Sequence, residues 1–231
     1  MEDPAAVRRR RRPETRGGRP TLTRELIAEA MLELAGRIGF RAVTMRVLAA
    51  HLGVTVRALY NYAGDRQEIV DRAAALFVER IPAVPLDPQD WERGVAEHCH
   101  ALRSAYRRHP RALLVSLDER ISDTGSPAER LRNGEAMLAV LCAAGLSLRD
   151  AVHVQREVSI RVFGFVLLVD HRHDLDESAD MSPVPAAWLD AHPDLDLPLL
   201  REAATTDLGT VDDAFAELVE DLLAGIRLRL R

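Results

Sequence analysis

One short run of this chain combines a guanidinium, a phenol and an amide: Arg57, Tyr60 and Asn61. Arg57 and Asn61 are four residues apart, so they share a face if the segment is helical. A guanidinium on such a face can bind guanine or a phosphate, and an amide can pair with adenine. Tyr60 adds a ring and a hydroxyl for a base methyl group or a phosphate. Val56 lies beside them and is a further candidate for base contact.

Two helical patterns that meet at a glycine must position these side chains. Thr44 is a residue of the N-cap type, and Gly53 stands where the first helix would end. The apolar face between them consists of Val47, Leu48 and Leu52. A second helix is predicted over residues 56–62, capped by Thr55 and anchored by Leu59. A helix, a turn and a helix of this kind form the unit whose second helix enters the major groove of DNA.

The plainer interpretation is a helical hairpin with solvated polar residues, and the context on both sides argues against it. Residues 22–72 resemble the DNA-binding domain of the TetR family of transcriptional regulators. The matching stretches are LTRELIAEAMLELAGRIGF, AVTMRVLAAHLGV and ALYNYAGDRQEIVD. We also predict DNA contacts for Thr44, Arg46, Thr55 and Tyr62. The resemblance implies that Arg66 contacts a phosphate, because the family usually has a lysine near this position.

Composition and charge favour an all-α protein with two unlike parts. The chain has 231 residues, few aromatics and mostly helical spacing of apolar residues. Residues 1–66 carry 13 arginines against 7 acids, whereas residues 67–231 carry 18 arginines against 29 acids. We therefore predict a three-helix helix-turn-helix DNA-binding domain over residues 22–66. A larger helical ligand-binding and dimerisation domain is predicted over residues 67–231.

Residues 1–21 are predicted to be a disordered, arginine-rich arm, because they lack apolar periodicity. Arg8 to Arg12 can add affinity along the DNA backbone without reading sequence. Arg16 and Arg19 flank two glycines and have two possible roles. They either enter a narrow, A·T-rich minor groove or simply contact phosphates.

The remaining helices are predicted from periodicity, caps and prolines. The first helix covers residues 23–37, with Thr23 as its cap and Ile38 on its inner stripe, and a helix from residue 65 to Pro82 joins the two domains. Further helices are expected over residues 90–109, 111–121, 127–144, 148–169, 199–204 and 211–230. Residues 170–198 are expected to form a long loop.

The helix over residues 148–169 is apolar on all sides near its end, which requires burial. Either it is central within one chain, or it pairs with the last helix and the same two helices of a second chain in a dimer bundle. The resemblance favours the dimer. The predicted interface comprises Val158, Val162, Phe165, Val166, Val169, Phe215, Leu218, Leu222 and Ile226.

Residues 90–231 also resemble, more loosely, the C-terminal domain of the tetracycline-repressor subgroup, which holds a small-molecule inducer. A cavity in such a domain needs apolar walls and a few polar anchors. The predicted lining is Trp91, His98, Leu102, Leu117, Met137, Leu141, Gln155, Ser159 and Phe163. An apolar or aromatic ligand would suit it. Tetracycline with magnesium is not expected, because Ser116 stands where the subgroup has its metal-binding histidine.

No metal or cofactor is predicted. His98, Cys99 and His100 are adjacent on a helix and diverge too much to chelate one ion. The segment Asp170 to Asp174 has two histidines between its carboxylates, yet solvated histidines are the default interpretation.

We expect a cytoplasmic protein with reduced cysteines and no membrane segment, because the longest apolar run, residues 162–169, is far too short to span a bilayer. The expected function is a dimeric repressor that a small molecule releases from a palindromic operator. One alternative is an architectural or partner-controlled DNA-binding protein with a fully packed core. The other is an enzyme fused to a DNA-binding head. The sequence shows no nucleophile–base constellation, which counts against this second alternative.

Overall fold

Helices make up nearly all regular structure in this computed structural model, which describes residues 15–16, 19–20, 22–115, 119, 128–175 and 184–231. They are α1 (Arg24–Ile38), α2 (Met45–Leu52), α3 (Val56–Tyr60), α4 (Arg66–Glu79), α5 (Trp91–Arg108), α6 (Ala128–Ala143), α7 (Leu148–Phe165), α8 (His171–Leu175), α9 (Ala186–Asp190), α10 (Pro198–Ala203) and α11 (Val211–Arg229). The predicted all-α class is confirmed. Within the described ranges, no helix is long and apolar enough to cross a membrane.

Irregular turns join these helices. Short 3-10 turns cover Phe40–Ala42, Pro88–Asp90 and Pro110–Leu114, and a π-helical turn, Val166–Asp170, continues α7 into α8. In the arm, the four described residues pair as two antiparallel strands, β1 (Thr15–Arg16) and β2 (Arg19–Pro20). Regular structure was not expected there. The arginine run at residues 8–12 lies outside the described residues.

Hydroxyl caps begin several helices where the sequence predicted them. The Thr23 hydroxyl accepts from the amide of Leu26 at 3.1 Å, and Ser147 accepts from that of Asp150 at 3.1 Å. Each bond satisfies a backbone donor that has no partner in the first helical turn. The last helix begins with a capping box, in which Thr210 and Asp213 bond reciprocally.

A continuous apolar core joins the DNA-binding domain, residues 22–66, which we call the head, to the larger domain. It includes Met31 and Leu48 in the head, Phe77 on α4, and Leu141 and Ile226 in the larger domain. Helix α1 packs on α4 and on the turn Pro110–Leu114, so the two domains share a boundary. Two residues predicted on inner stripes are instead partly exposed: Ile38 (42%) is the last residue of α1, and Val47 (36%) faces outward on α2.

Two predicted elements of the larger domain differ from the structure, and a third is described only in part. Of the helix expected over residues 111–121, Pro110–Leu114 forms a 3-10 turn and Val115 is helical, while residues 116–118 and 120–127 lie outside the described residues. The loop expected over residues 170–198 contains α9. The helix expected to end at residue 169 instead passes through a π-helical turn into α8.

The π-helical turn is fixed by a buried ion pair. Asp170 is fully buried and accepts from Arg103 on α5, with Nη2 to Oδ1 at 2.7 Å and Nε to Oδ2 at 2.9 Å. The guanidinium also lies over the rings of Phe165 and Phe215, 5.3 and 4.5 Å from their centroids. Its remaining nitrogen reaches Asp212 at 2.8 Å, at the start of α11. One arginine therefore joins α5, α7 and α11.

The side chains assigned to a dimer interface lie mostly inside one chain, so that assignment was wrong for most of them. The residues buried in the core of the single chain are Val158, Val162, Phe165, Val166, Phe215, Leu222 and Ile226. Val169 and Leu218 are half-buried and pack against the same core. The physical reason is that α5 and α11 cover α7 from within the chain. The alternative of a central helix within one chain fits these residues.

Replacing Arg103 with alanine is expected to lower the free energy of unfolding by about 3 kcal/mol, because the buried Asp170 would lose its hydrogen bonds and keep only Arg107, at 3.7 Å. Chemical denaturation of the two proteins measures the difference. Asp212→Ala is the matched control: the Asp212 side chain is 81% exposed, so we expect a change within about 0.5 kcal/mol. Equal losses in both variants would contradict this assignment.

Candidate DNA interface and ligand cavity

The helix-turn-helix forms where the sequence places it. Gly53 ends α2 in the left-handed conformation, with φ 64° and ψ 35°. Thr44 accepts from the amide of Val47 at 3.3 Å, and Thr55 accepts from that of Ala58 at 3.2 Å. The caps and the glycine set the angle between α2 and α3, while Leu59 anchors α3 in the core.

The outer face of α3 carries the predicted reading side chains. Arg57, Tyr60 and Asn61 are exposed, Tyr60 to 51%. So are Thr44, Arg46 and Thr55 around the helix starts. Val56 and Tyr62 are half-buried and pack against the core, so their side chains mainly support the helix. The helix ends at Tyr60, with Asn61 as its C-cap, rather than at residue 62.

Arg66 is not a free phosphate ligand, and that prediction is corrected. Its guanidinium donates to the backbone oxygens of Phe40 at 2.5 Å and Val43 at 3.0 Å. It also forms an ion pair with Glu119 at 2.6 Å, whose side chain is only 12% exposed. Nothing in the local sequence indicates these partners, which are 23 to 53 residues away. We call this cluster the Arg66 clamp.

A cavity of about 620 Å³ opens among α4, α5, α6, α7 and residues 113–115. Of the predicted lining residues, the cavity is bordered by His98, Leu102, Met137, Gln155, Ser159 and Phe163. Trp91 and Leu141 are not among them: Trp91 is the first residue of α5 and half-buried, and Leu141 is fully buried in the core. Leu117 lies outside the described residues.

The sequence analysis missed several polar residues at this cavity, because their helical faces were not predicted. They are Tyr106, Arg130, Asn133 and Arg156. Gln155 donates from Nε2 to the Gly134 oxygen at 3.1 Å, and Ser159 donates to the Gln155 oxygen at 3.0 Å. Burial lowers the pKa of His98, and it raises the pKa of Tyr106. Both side chains are therefore held in their neutral forms near neutral pH.

The histidine-containing segments do not form a metal site in the described part of the chain, where no cluster of three metal-ligating side chains occurs. His98 borders the cavity, whereas His100 packs edge-on against Phe215. Cys99 between them is buried, and burial raises the pKa of its thiol to about 12.

The segment from Asp170 to Asp174 contains a second pair of histidines, and both of its carboxylates have arginine partners. Asp170 is bound by Arg103 and Asp174 by Arg107. Ser116, at the position of the subgroup's metal-binding histidine, lies outside the described residues.

A capped helix-turn-helix with an exposed polar face, carried on a larger helical domain, defines a DNA-binding regulator. Comparison with known families narrows the class. Residues 26–73 match bacterial regulatory proteins of the tetR family, and residues 84–230 match the tetracyclin repressor-like C-terminal domain. The chain belongs to the TetR family, whose members are transcriptional regulators and not enzymes.

Its relatives are similar over much, but not all, of their length. A transcriptional repressor of Mycobacterium tuberculosis is 27% identical over 71% of this chain and 64% of its own length. The class C tetracycline repressor of Escherichia coli is 31% identical over 63% of this chain and 65% of its own. The chain thus spans slightly less than two thirds of these relatives.

Solved structures share the fold. The TetR family protein ActR of Streptomyces coelicolor, in complex with actinorhodin, superposes with a TM-score of 0.68 at 22% identity. That match covers 91% of this chain and 99% of ActR. TetR from Acinetobacter baumannii gives a TM-score of 0.61 at 25% identity, over 90% and 99% of the two chains.

Burial of His98 predicts a specific pH dependence. The unfolded histidine takes up a proton below about pH 6.5, whereas the folded one resists it, so stability falls as the pH drops below that value. His98→Gln is expected to remove this contribution. The slope of the free energy of unfolding against pH then decreases by at most about 1.4 kcal/mol per pH unit. Denaturation between pH 5 and 8 measures the slope, with the exposed His192→Gln as control. A wild-type slope in His98→Gln would refute a buried neutral histidine.

Proposed function

We propose that this chain is a dimeric repressor that leaves a palindromic operator when a small molecule enters its cavity. The observation that carries the proposal is that one chain combines an exposed polar face on α3 with a cavity whose wall includes α4. Helix α4 follows directly from the head and borders the cavity through Ala74, Phe77 and Val78. A ligand that displaces this wall also displaces the head.

On the DNA side, Arg57, Tyr60 and Asn61 are proposed to read base edges or bind phosphates in the major groove. Thr44, Arg46 and Thr55 surround them and contact the backbone, a role suited to exposed groups at helix N-termini. For Arg16 and Arg19, both minor-groove insertion and phosphate contact remain open proposals.

Dimerisation would use a different face of α7 from the one first predicted. Leu168 on the π-helical turn is 69% exposed. One turn before it, Gly164 on α7 is half-buried, and a Cβ added there would meet nothing within 4 Å. Leu228 of α11 is 66% exposed. A glycine one turn from exposed Leu168 suits the close approach of a second helix, and twofold symmetry would present two α3 helices to two half-sites.

The Arg66 clamp is the proposed path from the cavity to the head. Leu113 and Val115 border the cavity, and the amide of Glu119 donates to the Val115 oxygen at 2.8 Å. Glu119 in turn holds Arg66 at the start of α4. A ligand that moves residues 113–115 therefore alters the clamp, provided that it binds the two states with different affinity.

Ligand control is favoured over an architectural role because the larger domain is not fully packed. A cavity of about 620 Å³ is within the size range of small-molecule sites. The structures of two family members support this choice by analogy: ActR is described with actinorhodin and the Acinetobacter TetR variant with minocycline.

Arg57→Ala is expected to weaken operator binding tenfold to a hundredfold, the cost of one good base contact, without lowering the melting temperature. A palindrome selected from genomic fragments and its isolated half-site are titrated by fluorescence anisotropy. Arg37→Ala is the matched control, because it removes the same charge on the side of the head that faces the larger domain. Its neighbour Gly36 lies against His109 of that domain. Equal losses in both variants, or equal binding of palindrome and half-site, would contradict the proposal.

Glu119→Gln is expected to weaken operator binding about threefold to tenfold, because it removes the charge that holds Arg66 across the domain boundary. Glu79→Gln is the control, since Glu79 pairs with Arg72 at the other end of α4, at 2.8 Å. An unchanged affinity in Glu119→Gln would show that the Arg66 clamp plays no part in the DNA-binding conformation.

A further inference from the structure

The charge of the cavity lining differs from that of the surrounding domain. Residues 67–231 carry 29 acids against 18 arginines. Around the cavity the balance is reversed. Arg130 and Arg156 border it, and none of its described lining residues is an aspartate or glutamate. The described lining is therefore positive, although the domain as a whole is acidic.

Both arginines are available to a ligand. Elsewhere in the domain, arginines pair with carboxylates, as Arg103 does with Asp170, Arg161 with Glu157 and Arg227 with Glu92. Among the described residues, no carboxylate lies within 4.0 Å of either Arg130 or Arg156. Arg156 contacts the ring of His153 at 3.2 Å, so no described carboxylate compensates its charge.

The two arginines approach the cavity from facing helices. Gln155 on α7 bonds to Gly134 on α6, which fixes where these helices cross. Arg130 lies four residues before Gly134, one turn along the same face, and Arg156 directly follows Gln155. The Arg130 charge also reaches the phenol of Tyr106, where it opposes the rise in pKa that burial causes. Both arginines therefore border the same cavity from two helices that the Gln155–Gly134 bond joins.

The rest of the lining is apolar or neutral. Phe77, Met137 and Phe163 supply apolar walls, and His98 and Asn133 supply uncharged polar groups. Such walls suit a flat aromatic body, and arginine is the residue best shaped to bind a carboxylate or sulfonate.

From the lining charge and this geometry we infer that the cavity takes an aromatic organic anion. Its acidic group lies between Arg130 and Arg156, and its ring system lies among Phe77, Met137 and Phe163. The inference rests on the proposed function, since it names the ligand class of the same cavity.

Two dyes that differ only in an acidic group test this inference. 1-Anilinonaphthalene-8-sulfonate is the anionic probe, and N-phenyl-1-naphthylamine has the same rings without the sulfonate. By fluorescence titration, the wild-type protein is expected to bind the anion at least fivefold more tightly. In Arg130→Gln/Arg156→Gln, which keeps hydrogen-bond donors and loses the charges, the anion should lose about fivefold to tenfold and the neutral dye less than twofold.

Matched variants locate the effect. Arg149→Ala removes one charge from an exposed position on α7 outside the cavity lining and should leave both dyes unchanged. Ser159→Phe fills the cavity and should weaken both dyes. The inference is overturned if the double variant binds the anion normally, if it loses both dyes equally, or if Arg149→Ala matches it.

Operator binding by the same variants separates this inference from the proposed function. Without dye, we expect the double variant to bind the operator with unchanged affinity, because Arg130 and Arg156 lie on helices of the larger domain and not on the head. If the anion binds through the two arginines yet does not release the operator, the anion site stands and ligand control by this class of compound fails.

Discussion

The structure depends on one arginine that has three partners in two domains. Arg66 closes the head by binding the backbone oxygens of Phe40 and Val43, and it reaches the larger domain through Glu119. Its hydrogen bonds fix the turn between α1 and α2 against the start of α4. Because Glu119 is mostly buried, leaving it unpaired would be costly. The orientation of the head is therefore set by the same contacts that keep the boundary between domains closed.

Helix α5 divides the larger domain into a rigid side and an open side. Arg103 and Arg107 point towards Asp170 and Asp174, while His98, Leu102 and Tyr106 border the cavity. The ion pairs hold α5 against the π-helical turn without any help from groups inside the cavity. The cavity can thus persist without collapse, because the helix that forms its wall is fixed from behind.

The head could be predicted from sequence because its signals are local. Thr44, Gly53 and Thr55 define two short helices within a dozen residues, and their caps are as expected. The Arg66 clamp could not, since backbone oxygens leave no mark in a sequence. The dimer face was misplaced because an apolar helix end only indicates burial: Val162 and Phe215 are covered by their own chain. Half-buried Gly164 and exposed Leu168 can be recognised only when the packing is known.

The recognition helix has only five residues, too few to be stable alone. It holds its shape because Leu59 is buried and Thr55 caps it, while the side chains of Arg57, Tyr60 and Asn61 are exposed. The residues that keep the helix in place are thus separate from those that face outward. A lineage could replace the outward residues one at a time, and acquire new target sequences, without passing through unfolded intermediates. Specificity in this head is free to diverge while its architecture stays fixed.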